Sequence, residues 1–496
     1  MLIQLSEPFH LMPNLHSKLT LMKKFIIAVL PLLLLGACKK DITSLNVNPK
    51  QPQTVPGGAL FTEAQRSLSY QMGSSNVYFN IFRLIEQQWQ ETTYITESQY
   101  NIKDNAIPDG IWRTLYRDVL EPFEQAKTTF TNTPTLSAGT VKNDVAIADI
   151  MQIYTYYYLV TTFGNIPYTE ALNIDNKFPK FDDATTVYLA LLTRLDADIA
   201  NLDEAEGSMG EADQIYGGDI ASWKKFANTF KLKMGITLAD ADNAKAKTVV
   251  EAAVAAGVFT SNDDNANFKF SLNPPNTNPV WVDLVQSGRL DFIAAKTIVD
   301  NLTSSGDPRL PLYFTTDASG KYSGGIPGTK NSYNAFSKPS TTLTAPNFPG
   351  LLLDYAETEL NLAEAVERGY NVGGTAAVHY ANGITASITY WGGTGTSATA
   401  YLVKPTVAYA TATGNYKQKI GYQKWLALYN RGWDAWIETR RLDYPKLPAP
   451  AGAVSDFPVR FTYPVSEQNV NTVNYNDASS KIGGDEVTTK LFFDKF

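Results

Sequence analysis

The chain reads as a mostly α-helical protein with large loop-rich insertions. Three observations predict this. Apolar residues recur at three- and four-residue spacing in stretch after stretch, the signature of helices with one buried face. Strand signals are few and short, Val459-Arg460-Phe461-Thr462-Tyr463 being the clearest. Long segments rich in Ser, Thr, Gly and Pro separate the periodic ones, and loops of that length are functional or unstructured. With 496 residues, 44% hydrophobic and 18% charged, the chain can bury a large core and carries too little charge for a disordered polymer. At about 150 residues per domain it would divide into two or three, but one large repeat-built unit is equally allowed.

The first 37 residues predict a removable leader. Met22-Lys23-Lys24 is a charged start, Phe25 to Leu35 an apolar run too short to span a bilayer, and Leu35-Gly36-Ala37-Cys38 closes it with small residues before a cysteine. Met22 is the expected true start, since residues 1–21 have no leader logic of their own. Leu-Gly-Ala-Cys resembles the bacterial lipobox, whose cysteine is acylated and becomes the mature N-terminus. That implies a protein anchored by lipid through Cys38, the only cysteine. Residues 38–56, with Pro49, Pro52 and Pro56, read as an extended tether, and 57–496 as one α-helical domain.

Seven helical stripes follow. The first is Val77, Ile81, Leu84, Ile85 and Trp89. The second is Ala146, Ile150, Ile153, Tyr157 and Val160, with Asp144 as cap. Val187, Leu191, Leu195, Ile199 and Leu202 make the third, and Trp223, Phe226, Phe230 and Met234, capped by Ser222, the fourth. Leu352, Ala356, Leu360 and Ala363 make the fifth, ending near Gly369, and Tyr380, Ile384 and Ile388 the sixth. The last is Tyr422, Trp425, Tyr429, Trp433 and Trp436, an aromatic stripe expected in the core. Small residues at the contact positions of neighbouring helices are loosely those of tetratricopeptide-type pairs, without a clean repeat. Irregular insertions are expected near 261–350 and 392–416.

Composition and motifs exclude several functions. A pI near 5.2 and a net charge of −7 argue against a nucleic-acid partner. One cysteine excludes an internal disulfide and a Cys-rich zinc site. With the leader removed, His379 is the sole histidine; it sits in a helical pattern and reads as a hydrogen-bonded packing residue. There is no nucleophile elbow, no phosphate-binding glycine loop and no dinucleotide fingerprint. Asp263-Asp264-Asn265 lacks calcium-loop spacing and reads as a solvated turn. Glu357, Glu359, Glu364 and Glu367 share one helix; paired carboxylates can hydrolyse glycosides, but a solvated face is the expectation. No cofactor and no metal are implied.

Aromatic rings on polar segments carry the functional signal. Trp89, Tyr94 and Tyr100 lie in Gln87–Asn105, which is rich in Gln, Asn and Thr, and Trp281 and Tyr333 lie in the middle loops. Rings stack on the apolar face of a pyranose while amides bond its hydroxyls. These five are the candidate ligand residues; packing of each loop against the helical body is the competing reading for any one ring.

Several segments, in order, resemble one family. Phe163-Gly164-Asn165-Ile166-Pro167-Tyr168 with Glu170-Ala171 resembles the YGD-x-PY-x-EA segment of SusD/RagB-type lipoproteins. Leu351 to Glu367, with Leu362-Ala363-Glu364-Ala365, resembles their AEA helix, and Ala377 to Trp391 the helix after it. Tyr422 to Trp425, Gly432 to Trp436 and Arg440-Arg441 resemble the helix that follows, with Trp433-Asp434-Ala435-Trp436 replacing its usual centre. Arg460-Phe461-Thr462-Tyr463-Pro464 with Glu467 and Asn469 resembles the closing motif, and Asn46 to Pro49 fits the subgroup described as starch-binding and outer-membrane associated. The resemblance implies a superhelical body of tetratricopeptide-like helix pairs with large loop-rich insertions, in a non-enzymatic outer-membrane lipoprotein that faces outward and binds oligosaccharide or, in some members, peptide. It also implies a partner, a TonB-dependent SusC-like barrel to which ligand is delivered. A surface glycoside hydrolase and a structural lid subunit without its own ligand are the alternatives.

Overall fold

The structure, a computed structural model, describes residues 55–496, and Pro56–Phe496 form one compact unit. The leader, Cys38 and most of the tether lie outside the described residues. No helix among the described residues is long and apolar enough to cross a membrane.

Ten helices build the body. They are α1 (Gly57–Gly73), α2 (Glu121–Thr131), α3 (Ala138–Phe163), α4 (Ala184–Asn201), α5 (Ile220–Leu238), α6 (Asn243–Ala256), α7 (Tyr355–Glu367), α8 (Ala376–Tyr390), α9 (Tyr416–Ala427) and α10 (Gly432–Leu442). They pack as successive pairs: α1 on α2, α3 on α4, α5 on α6, α7 on α8 and α9 on α10. Most starts are fixed by side-chain caps that satisfy orphan N–H groups. Asp183, Asp219, Asp242, Asp354 and Asn415 each accept from the backbone three residues on, at 2.7–3.1 Å. Gly383 on α8 is where the pair α7–α8 comes closest: a Cβ there would meet Leu360 at 2.7 Å and the Ala356 carbonyl at 3.0 Å.

α3 is apolar on nearly every side and lies at the centre. Its tyrosines are buried yet satisfied. Tyr154 donates to the Leu352 carbonyl at 2.7 Å, and Tyr158 to Asp434 at 2.6 Å. The aromatic stripe is core, as expected: Trp425, Trp433 and Trp436 are all buried. Phe82 stacks on Trp433 with ring centres 4.5 Å apart.

Several sequence expectations are corrected. The stripe from Val77 to Trp89 is not one helix; only Phe82–Ile85 is helical, and Trp89 begins a strand. Its three-and-four spacing comes from a turn and a strand that both face the core. α3 begins at Ala138 under Ser137, so Asp144 lies inside it, buried, with its carboxyl pushed up to about 7 by burial. Asp219, not Ser222, caps α5. The aromatic stripe is two helices, α9 and α10, broken after Ala427. Val459–Tyr463 forms no strand. The stretch 261–350 holds short helices and strands, and 392–416 holds a helix, Gly395–Leu402.

The acids of α7 are not a solvated face. Glu357 and Glu364 are fully buried and Glu359 nearly so; only Glu367 is exposed. They meet cations from α5, α9 and α10. Lys233 Nζ reaches Glu357 at 2.6 Å and also pairs with Asp434. Arg431 pairs with Glu357 at 2.7 Å, and Arg441 binds both oxygens of Glu364 at 2.6 Å. Burial pushes the Glu364 carboxyl up, but Arg441, Arg368 and Lys424 together hold it well below the usual range. The reason is position: α7 is sandwiched between helix layers, so its polar side meets charge and not water. Such a network costs much desolvation and specifies which helices meet.

Candidate functional site

Two strands pull the early polar segment against a middle loop. β1 (Trp89–Glu91) pairs antiparallel with β3 (Phe292–Ala294), Glu91 opposite Phe292; β2 (Asn267–Phe268) pairs with β4 (Gly350–Leu351) elsewhere. Thr92 extends the first contact, its N–H donating to the Asp291 carbonyl at 2.8 Å and its hydroxyl to the Leu290 carbonyl at 2.7 Å. The turn after α1 is tied in by Ser75, whose hydroxyl donates to Asp283 at 2.9 Å.

These three segments, 75–78, 91–105 and 283–292, enclose a groove of about 440 Å³. That lies within the ~300–1,000 Å³ typical of small-ligand sites. Two rings stand over it: Tyr94 is 72% exposed and Tyr78 52%. Each presents a rigid ring face with a polar hydroxyl to solvent, where a ligand can reach it. Asn76, Asn105, Thr96 and Ser75 supply amides and hydroxyls, and Glu91, Glu97, Asp283 and Asp291 supply acceptors. Arg289 is the one basic residue lining the groove, and it pairs with Asp291.

Two of the acids form a unit in the wall. Burial first, and then the charge of Glu97 in hydrogen-bond contact with it, push the Glu91 carboxyl well above the usual range. Glu91 also accepts from the N–H and the hydroxyl of Ser98, both at 2.9 Å, and Glu97 accepts from Asn105. These bonds brace the wall. Asp283 is raised too, chiefly by burial.

Of the five rings singled out in sequence, Tyr94 alone lines the groove. Trp89 is 1% exposed and lies in the core, its indole N–H donating to Tyr429 at 2.8 Å. Tyr100 is 3% exposed, its hydroxyl taking a bond from Gln87 at 3.1 Å. Neither ring has a face open to a ligand: β1 turns Trp89 inward, and the left-handed backbone at Tyr100 (φ 64°) turns its ring under the loop. Trp281 is half-buried in the helical turn Pro279–Trp281. Tyr333 is half-buried beneath the Lys338 ammonium, 5.0 Å from its ring centre. Sequence reasoning missed Tyr78, because it lies off the apolar stripe of a helix that does not form.

His379 is a packing histidine: Nδ1 lies 2.7 Å from Glu359 and Nε2 3.2 Å from the Gly373 carbonyl. Asp264 spends its carboxylate on a turn, accepting from Thr260 and Ser261 and pairing with Lys225. Among the described residues no group of three or more His, Cys, Asp or Glu is arranged to hold a metal ion.

The fold and the groove define a class: a scaffold of paired helices whose insertions present an open, polar, ring-edged groove. Residues 49–464 match the SusD-like family described as "Starch-binding associating with outer membrane", and the chain belongs to that family. Among solved structures, a chitin-binding protein is 28% identical, with a TM-score of 0.77 over 89% of this chain and 100% of its own. A chitin-binding SusD homologue from Flavobacterium johnsoniae is 26% identical, with a TM-score of 0.75 over 88% of this chain and 98% of its own. A Bacteroidetes SusD-like protein, AC2a, shares the fold at 21% identity and a TM-score of 0.79, over 89% of this chain and 100% of its own. No curated protein matches the chain.

Proposed function

We propose that the protein binds oligosaccharide in the groove under Tyr94 and Tyr78, is held at the outer membrane by lipid on Cys38 with its body facing outward, and hands ligand to a TonB-dependent SusC-like barrel. The observation that carries the binding reading is the pair of exposed rings over a floor of amides, hydroxyls and carboxylates. A pyranose offers one apolar face and a rim of hydroxyls, and this groove offers the complement of both. Chitin-binding in the names of two solved relatives, and starch-binding in the family description, put chito- and malto-oligosaccharides first among ligands.

The groove's acids favour binding over hydrolysis. Glycosidase carboxyls stand roughly 5–9.5 Å apart so that a sugar carbon or a water fits between them. Here Glu91 is spent on two bonds from Ser98 and Glu97 on a bond from Asn105, so both brace the wall and neither is free to face a glycosidic bond. Calorimetric titration of the purified protein with chito-oligosaccharides, malto-oligosaccharides and peptides tests the reading. Saturable binding of a glycan with no turnover is the expected result. Hydrolysis at ~1 s⁻¹ or faster would make it an enzyme, a peptide-only response would change the ligand class, and silence across the panel would leave a lid subunit without a ligand.

A further inference from the structure

A second groove of about 410 Å³ adjoins the first, on the other side of the turn 76–79. Its walls are the outer face of α1 and the helical segment leading into α2. That segment, Thr114–Leu120, is a wide π-type stretch running directly into α2, whose second residue is Pro122. Such widened turns recur at functional sites because they push a helix face outward. Here the widened turn places Thr114 and Pro122 in the groove wall, opposite Tyr70 of α1.

The two grooves are separated by one residue step. Tyr78 lines the first and Phe79 the second. The ridge between them is rigid. Gln71 donates to the Phe79 carbonyl at 2.6 Å, Asn76 accepts from the Tyr78 N–H at 3.1 Å, and Asn80 donates to the Met72 carbonyl at 3.0 Å. Gly110 lies against the ridge, where any Cβ would collide with the Tyr78 carbonyl. The walls are close enough to interact: Tyr70 is raised first by burial and next by the charge of Asp283 in the first groove. The charges of the second groove cancel in pairs, Arg66 with Glu63 at 2.8 Å and Arg117 with Asp118 at 2.7 Å. What remains for an occupant is Tyr70, Phe79 and Pro122, half-buried apolar surface with hydroxyls nearby.

We propose that the second groove is a continuation of the binding site, so that one linear, uncharged glycan chain lies in both, crossing the ridge over Tyr78. The inference rests on the oligosaccharide reading above and adds to it a length requirement: short chains fill the first groove, and only longer ones gain from the second.

The test is an affinity ladder. Chito- and malto-oligosaccharides of two to eight sugar units are titrated into the wild type, Tyr70→Ala and Ser67→Trp. Tyr70→Ala removes a stacking face; Ser67→Trp fills the groove from the half-buried face of α1 at the loss only of the Ser67 hydroxyl's bond to Glu63, and decides the matter should Tyr70→Ala melt early. The wild type is expected to bind more tightly with each added unit beyond those the first groove holds. Both variants lose that gain, about 2- to 13-fold for the longest chains, and bind the disaccharide as the wild type does. An affinity that stops rising at two or three units in the wild type, or variants that weaken short and long chains alike, overturns the proposal and leaves the first groove standing. No binding at any length overturns the oligosaccharide reading itself.

Discussion

Replacing Trp89 by alanine separates the core from the ligand surface. The ring is 1% exposed, 5.8 Å from Phe292 and 6.5 Å from Tyr429, and its N–H is spent on the Tyr429 hydroxyl. It also covers Arg83, whose guanidinium lies 4.9 Å from the ring centre. Arg83 is buried without a carboxylate partner; its donors go to the Gly73, Ser74 and Asn430 carbonyls and the Asn430 amide oxygen. Burial has already lowered its pKa to about 10. Trp89→Ala thus opens a cavity and uncovers a desolvated cation. Truncating a buried tryptophan costs about 3–5 kcal/mol. Unfolding entropy of about 2.1 cal/mol/K per residue, over about 440 residues, makes this a fall of about 3–5 °C in Tm. Trp89→Phe keeps a ring over Arg83 and loses only the hydrogen bond and some volume, so it falls less. Thermal melting gives the first quantity, and calorimetry well below the melt gives affinity per folded molecule, which is expected to hold. An unchanged Tm with about tenfold weaker binding would refute this reasoning and return Trp89 to the ligand surface.

Three further outcomes are expected. Arg441→Met leaves Glu364 buried without its bidentate partner, so Tm falls by about 3–5 °C, as breaking a buried pair costs about 3–5 kcal/mol; adding Glu364→Gln restores part of the loss, and a full-size loss in the double variant would contradict the pairing. Glu359 raises the pKa of His379. The stability it contributes is therefore complete below the unfolded value of about 6.5 and fades as pH rises through the folded one; the Tm gap between wild type and His379→Gln should be widest in acid and close in alkali. Glu91, held protonated by burial and by Glu97, has the opposite liability: an acid raised in the fold destabilises it increasingly as pH climbs above the unfolded value of about 4.3. Glu91→Gln should therefore gain on the wild type between about pH 5 and pH 9, and a gap independent of pH would show that the carboxyl is ionised throughout.

The helical body was legible in sequence because its signal is periodic and local. The stripe Val187–Ile199 falls inside α4, with Leu202 just past its end, the stripe Trp223–Met234 falls inside α5, and the prediction that Trp433 and Trp436 are core holds. What was not legible depends on contacts between distant residues. Nothing near Glu357 or Glu364 announces Lys233, Arg431 or Arg441, so α7 reads as solvated until its neighbours are in place. The same holds for the groove. The polar setting of Gln87–Asn105 pointed to a segment that lines the groove, but only the pairing of β1 with β3 decides that Tyr94 faces out while Trp89 faces in. Tyr78, Asp283 and Asp291 belong to the groove through tertiary placement alone.

The central claim is that Tyr94 meets the ligand. The most direct measurement is the calorimetric affinity of Tyr94→Ala for the tightest-binding oligosaccharide of the chito and malto series, beside its Tm. Tyr94 is 72% exposed, so its removal should leave Tm within error. Loss of one stacking face, worth about 0.5–1.5 kcal/mol, should weaken binding about 2- to 13-fold. Wild-type affinity in Tyr94→Ala would contradict the account and move the ligand out of this groove.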